Sequence, residues 1–423
     1  MKKIVSCLML FALGCIGFVS CKDDKNDPDQ QEEKKVQVKF IAVPAIEGTV
    51  DAQMMEKLVA VFTEIRNQDT THCVINSAGI GTVSLNKGTY NIAIEEKIKN
   101  AAGADSIVIS SRMENVSVNA TDQEIKGKLS VAAADALGKN FIFSEIFFNG
   151  ETNSGRMMHP DQYFVVFNAT EDTLYADGLS VAVTQQICFQ NKQMWFDSYY
   201  PDRVPIGGFV TVPGNGKDHP VAPGDKFVVA FTAIDHSSVT GYDHAVDLTG
   251  ADFEIYYGPE EKDVDNPEVP NMLLVDFMTK ASYGFFMHPR GYISPLMFKL
   301  ENGKQEAVNK FLKENTSESK TLIPKTATTP EEIVEVQILS VATDRIIDGV
   351  QTSDVPQDVK TRVIPESVDR GKFLVNGCHR QELAIRRQVK VGNRIFYKDT
   401  NNSSEDMVMQ KGQHAWPKGW RNK

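Results

Sequence analysis

Histidine, acid and aromatic side chains are what this sequence offers for chemistry, and their spacing can be read before any fold is assumed. Three histidines precede proline: His159-Pro160, His219-Pro220 and His288-Pro289. Two of these share a longer form, Met158-His159-Pro160 and Met287-His288-Pro289. Thioether sulfur and imidazole together ligate haem iron or copper. Proline also marks loops, so these stretches are read either as a ligand-binding site or as loop punctuation. Asp235-His236 and Asp243-His244 set an acid beside a base, the minimum for general acid–base work. No G-x-S-x-G, H-E-x-x-H or C-x-x-C-H pattern accompanies them, and no catalytic residue is assigned. The stretch 399–406 carries three acids, two asparagines and two serines. With Asp399, Asn401 and Asp406 as ligands it would suit calcium, although EF-hand spacing is missing. Asparagine and aspartate equally close turns with their own side chains. Trp195, Tyr199 and Tyr200, in an expected loop, would form a stacking platform for a glycan or peptide, and Trp416 and Trp420 come next. Core packing is the competing reading for both.

The N-terminus reads as an address. Met1-Lys2-Lys3 is followed by an apolar run from Ile4 to Val19, a secretory-leader pattern. The run is shorter than the roughly 20 residues of a membrane span. It ends in Phe18-Val19-Ser20-Cys21, which resembles the bacterial lipobox, with Phe18 where leucine is usual. The resemblance implies that residues 1–20 are removed and that Cys21 carries acyl chains such as palmitate. Each buried methylene then contributes about 0.8 kcal/mol of anchoring. Residues 21–35 hold nothing that builds a core and are expected to form a disordered acidic tether. The opening Lys22-Asp23-Asp24 resembles the export signal of Bacteroidota surface lipoproteins, which implies the outer membrane and its outer face.

Composition narrows the function classes. The net charge is −11, and loss of Lys2 and Lys3 with the leader makes it more negative. Nucleic acid and anionic membrane surfaces are therefore poor partners. A hydrophobic fraction of 41% suits a globular chain, and the length suits two or three domains. Beyond the leader and Cys21, Cys73, Cys188 and Cys378 remain. An odd count without C-x-x-C favours free thiols over a disulfide or zinc framework. Asp69-Thr70-Thr71, Asp105-Ser106-Ile107 and Asp172-Thr173-Leu174 resemble Bacteroidota O-glycosylation acceptors.

The elements that must position these residues read as all-β. Residues 36–133 hold short alternating runs punctuated by Asn76-Ser77-Ala78-Gly79 and Asn86-Lys87-Gly88, the pattern of a β-sandwich. Gly88-Thr89-Tyr90 after a turn and an alternating strand resembles transthyretin-like and carboxypeptidase-regulatory domains, which implies a spacer. From residue 140 a second β-rich domain runs to 423. In it Gln162, Phe164 and Val166 are expected on one face, and 305–313 is the best short helix.

Glu145-Ile146-Phe147-Phe148-Asn149-Gly150, Asp161-Gln162-Tyr163-Phe164, Leu174-Tyr175-Ala176-Asp177-Gly178-Leu179, Ile346-Ile347-Asp348-Gly349-Val350, Arg386-Arg387 and Lys398-Asp399-Thr400-Asn401-Asn402 resemble, in order, a family of uncharacterised Bacteroidota lipoproteins and the lamin-tail domain. Met407 replaces the usual closing phenylalanine. The resemblance implies an immunoglobulin-like sandwich with long loop insertions, and no ligand. The expectation is an all-β, two-sandwich, non-enzymatic cell-surface lipoprotein. It would serve as an accessory of a TonB-dependent uptake system and bind a glycan, peptide or metal complex. The alternatives are a structural or adhesive module and, third, a hydrolase.

Overall fold

The computed structural model describes residues 35–99, 105–133, 140–151, 161–191, 193–259, 263–279, 282–323, 325–328, 330–354, 361–391 and 394–422. The leader, Cys21, the tether, Met158 and His159 lie outside them.

The first module is built by alternation. Seven strands, β1 (Val36–Pro44), β2 (Val59–Glu64), β3 (Thr70–Val74), β4 (Ile80–Leu85), β5 (Gly88–Lys99), β6 (Asp105–Val118) and β7 (Gln123–Ala133), pair in the order β3-β2-β5-β6-β7-β1-β4. All pairs are antiparallel except β1 with β7. Val36, Val38, Phe40 and Ala42 point inward from β1 to meet Phe62, Ile92, Ile109 and Leu129. The turn expected at 76–79 forms, with the Asn76 side chain accepting from the Ala78 and Ile80 amides. Tyr90 is buried against Phe62 and donates to the Asn86 carbonyl at 2.9 Å, so the Gly-x-Tyr signal pins the start of β5.

The second module is a sandwich of two larger sheets. One orders Phe253–Glu254, Lys226–Ala230, Tyr163–Asn168, Phe141–Phe147, Glu382–Arg386 and Met407–Lys411. The other orders Thr316–Ile323, Glu332–Ala342, Arg203–Thr211, Leu179–Thr184, Pro295–Lys299 and Ile346–Gly349, with Leu273–Asp276 also on Arg203–Thr211. Phe143, Phe164, Val181, Val210, Val229 and Met297 fill the space between them. The expected one-sided alternation does not hold here. Phe141–Phe147, Tyr163–Asn168 and Leu179–Thr184 are buried at every position, because both outer faces are covered. The helix Gln305–Asn315, close to expectation, lays Phe311 on Phe209 and Phe298. The C-terminal tail lays Trp416 on Tyr163 at 6.4 Å.

The modules pack directly. The hairpin Gln388–Val391/Arg394–Tyr397 inserts Phe396 into the first module's core. Glu171 accepts from Ser130 Oγ at 2.7 Å and Val131 N at 3.0 Å. Among the described residues no helix is long and apolar enough to cross a membrane.

Candidate functional site

Several loops of the second module meet at one place, and buried polar side chains hold them there. Asn149 is fully buried at the end of Phe141–Phe147. Its Nδ2 donates to the carbonyls of Pro289 (2.5 Å) and Gly377 (2.6 Å), and its Oδ1 accepts from the amides of Arg380 (2.7 Å) and Glu382 (3.3 Å). Gln162 Nε2 donates to the Phe148 and Met287 carbonyls. His379 Nδ1 reaches the Gly150 carbonyl at 2.6 Å. The loop around it is bent sharply, with positive φ at Gly377, His379 and Gln381, a conformation that side chains other than glycine adopt at a cost. Cys188 N donates to the Tyr292 carbonyl, and Thr352 Oγ1 to the Gly291 carbonyl at 2.7 Å. Gly291, at φ +69°, lies where a Cβ would press on the Ser353 amide and Phe148.

Four rings stand in a row on these loops. Phe189 meets Tyr292 at 4.4 Å between centroids, Tyr292 meets His288 at 4.8 Å, and His288 meets Phe286 at 6.1 Å. All four are partly buried. They pack on one another with their planes tilted by 33° to 48°, and each leaves part of its surface to solvent. Beside them Arg290, 46% exposed, donates to Asp354 Oδ2 at 2.6 Å, and the Asp354 carboxylate is almost wholly buried. Tyr292 Oη lies 3.4 Å from the same oxygen. The Arg290 amide donates to His288 Nδ1 at 3.1 Å. Burial, with Arg290 next, holds the His288 pKa down to about 4. The imidazole is therefore neutral at pH 7, and since Nδ1 accepts, Nε2 carries the proton. Cys378, nearby and partly exposed, has its thiol pushed up by burial. The arrangement offers partly open rings, neutral donors and a charge-compensated guanidinium, which is equipment for binding.

Of the residues that sequence reasoning singled out, His288 reaches this site and Met287 does not. Met287 is buried in the main core and touches the site only through its carbonyl. The platform expected at Trp195, Tyr199 and Tyr200 is corrected. The segment Met194–Tyr199 is a short helix, not a loop, and Trp195, 1% exposed, is roofed by Val334, Val336 and Ile338. Tyr199 and Tyr200 are partly buried against the same cluster. Trp416 is likewise core, with Lys226 Nζ 4.6 Å above its ring.

The calcium reading of Asp399, Asn401 and Asp406 is also corrected, because a guanidinium already stands where a cation would. Buried Arg386 holds Asp348 at 2.8 Å and Asp399 at 3.0 Å, with Asp406 at 3.9 Å. Asp406 also takes the Thr400 and Asn402 amides. Asn401 turns away at φ +53° and donates to the Ser367 carbonyl. There it joins Asp202, Arg203, Thr343, Asp344 and Ile347 in the wall of an open groove of about 820 Å³. Among the described residues no group of three or more His, Cys, Asp or Glu is placed to hold a metal. Asp235 caps a turn through Ser237, His236 is buried with Nε2 on the Thr232 carbonyl, and Asp243 and His244 are exposed. Cys73, Cys188 and Cys378 are free thiols. Phe189, Phe286, Tyr292 and Asp354 were missed. They stand on three separate stretches of chain, and no spacing rule joins them.

Residues 222–413 match the family model for a protein of unknown function, DUF4876. No curated protein matches. The chain is similar to the crystal structure of a DUF4876 family protein from Bacteroides thetaiotaomicron VPI-5482, with a TM-score of 0.53 and 16% identity over 92% of this chain and 97% of that one. A DUF3823 family protein from Parabacteroides merdae ATCC 43184 aligns over 37% of this chain and 68% of its own, with 8% identity and a TM-score of 0.18. The first likeness is one of fold.

Proposed function

We propose that this chain is a non-enzymatic lipoprotein, anchored in the outer membrane through Cys21 and facing the cell exterior. Its second module binds an extracellular ligand for a TonB-dependent uptake transporter. The observation that carries the binding role is the loop end, where Asn149 and Gln162 fix loops that leave a row of rings partly open. Fixed loops lower the ordering cost of binding. Asp235 caps a turn and His236 is buried on the Thr232 carbonyl, so this acid–histidine pair does structural work, which favours binding over catalysis. The anchor rests on the apolar leader, Ser20-Cys21 and the acidic tether. The lamin-tail-like reading of the second module is supported by the way its motif residues Asn149, Gln162, Asp177 and Arg386 each serve as buried struts.

The test is made in the native cell. Labelled palmitate should enter the full chain and not Cys21→Ala, and protease added to intact cells should cut the parent protein. Cross-linking of intact cells should recover an outer-membrane TonB-dependent transporter. Palmitate in neither form, or a chain recovered without any transporter, would contradict this reading.

A further inference from the structure

We propose that the open groove between Asp202 and Asp344 is a docking site for a basic peptide segment of a partner protein, whose lysine or arginine stems lie on an isoleucine floor while the charged heads reach the two carboxylates. The groove shares no residue with the loop end. The inference therefore adds a second contact to the binding role above and stands without it.

The groove has the size and lining of a cleft for side chains. It measures about 820 Å³. Ile346 and Ile347, half-buried, and Val368, buried, give it an apolar floor. The two isoleucines open the strand Ile346–Gly349, which comes last in the order of its sheet. No further strand of that sheet therefore pairs along its outer side. The walls are braced before anything binds. Thr343 donates through its amide to the Asp202 carbonyl at 2.9 Å and through Oγ1 to the Pro201 carbonyl at 2.5 Å. Asn401 Nδ2 donates to the Ser367 carbonyl at 3.0 Å. A braced groove loses little freedom when it is filled. Charge then selects the occupant. Asp202 and Asp344 are exposed, and neither carboxylate has a hydrogen bond or ion pair among the described residues. The arginines next to the groove segments are engaged elsewhere. Arg203 donates to Ser340 and Asn315. Arg345 lies over the Phe311 ring and donates to the Lys299 carbonyl. Arg370 donates to the Thr400 carbonyl. An apolar floor beside two open carboxylates suits a side chain with an apolar stem and a cationic head, which is lysine or arginine. An acidic segment would be repelled by both carboxylates, and the overall charge of −11 draws cations from a distance.

The experiment titrates the mature full-length chain into labelled short peptides that carry lysines among neutral residues, read by fluorescence anisotropy. Further arms replace each lysine by glutamate, by acetyl-lysine, or by diaminopropionate, which keeps the charge on a shorter stem. The lysine peptides should bind at micromolar to submillimolar concentration, and more weakly at high salt. The glutamate and acetyl-lysine arms should not bind. Diaminopropionate should bind about tenfold more weakly than lysine, because its stem stops short of the floor. Asp202→Asn and Asp344→Asn should each weaken the lysine peptides about three- to fivefold, as for loss of an exposed ion pair. Asp243→Asn removes the same charge at an exposed position elsewhere and should bind as the parent does. No lysine peptide held, equal binding of the acetyl-lysine arm, or equal weakening by Asp243→Asn and the two groove variants would overturn the proposal. A transporter recovered from cells with no lysine peptide held would remove the groove site alone and leave the uptake role standing.

Discussion

Two aromatic clusters lie only a few residues apart in the chain and have opposite fates. Trp195, Phe196 and Tyr199 ride on a short helix, with Tyr200 just past its end, under the hairpin Thr316–Ile323/Glu332–Ala342, where Val334, Val336 and Ile338 pack on them. Phe189 sits just before, on a loop, and meets Tyr292 and His288 from a distant part of the sequence. Both clusters are rich in rings. The covered one contributes buried area and therefore stability. The other has been left partly open and is held by hydrogen bonds from residues beneath it. The number of rings near one another in sequence thus says little about binding; what covers them decides.

The contrast can be broken by substitution. Trp195→Ala should cost the most, about 3–5 kcal/mol from the cavity it leaves, read as a lower midpoint in urea. Ligand retention by the folded protein should be unchanged, and a variant that unfolds normally would show the cluster to be peripheral. Asn149→Ala comes next. It removes four hydrogen bonds and leaves two carbonyls and two amides without them. About 2–4 kcal/mol is expected, with faster hydrogen exchange at 288–291 and 376–381. Uniform acceleration across the module would mean that Asn149 does not act on those loops in particular.

His288 sharpens the comparison through pH. Its folded pKa, about 4, lies below the unfolded value of 6.5. The unfolded chain therefore takes up a proton first, and stability falls as the pH drops from about 6.5 to about 4. The ring is not fully enclosed, so the loss is on the order of 1–2 kcal/mol rather than the full shift. Asp161, which burial holds up to about 7, acts in the opposite sense over pH 3.8 to 7. The readable quantity is consequently the difference between the parent and His288→Phe, which should open on acidification. A constant difference would place His288 in solvent. Tyr292→Ala should have the smallest effect on stability, under about 1 kcal/mol, measured by thermal melting, while acting on binding.

What could be read from the sequence follows the same division. The first module was legible because its core is made by alternation along single strands, as in Val36, Val38 and Phe40. The motif residues of the second module were also visible, but their work was not. Asn149 looked like a strand end and is the hub of two loops; Asp399 and Asp406 looked like cation ligands and their cation is Arg386. That partnership spans the closing strands and depends on sheet order, which alternation does not encode. In the row itself His288 stood out by its Met-His-Pro setting. Phe189 and Tyr292 come together only because Leu179–Thr184 pairs with Pro295–Lys299 and brings the loops beside those strands together.

The most direct test of the open loop end is hydroxyl-radical footprinting of the mature chain with and without millimolar mixed neutral oligosaccharides or uncharged peptides, two of the ligand classes expected of it. Protection is expected at Phe189, His288 and Tyr292, with no change at Tyr199 or Tyr200. Protection at the Asp202–Asp344 groove instead, or at no site, would contradict it.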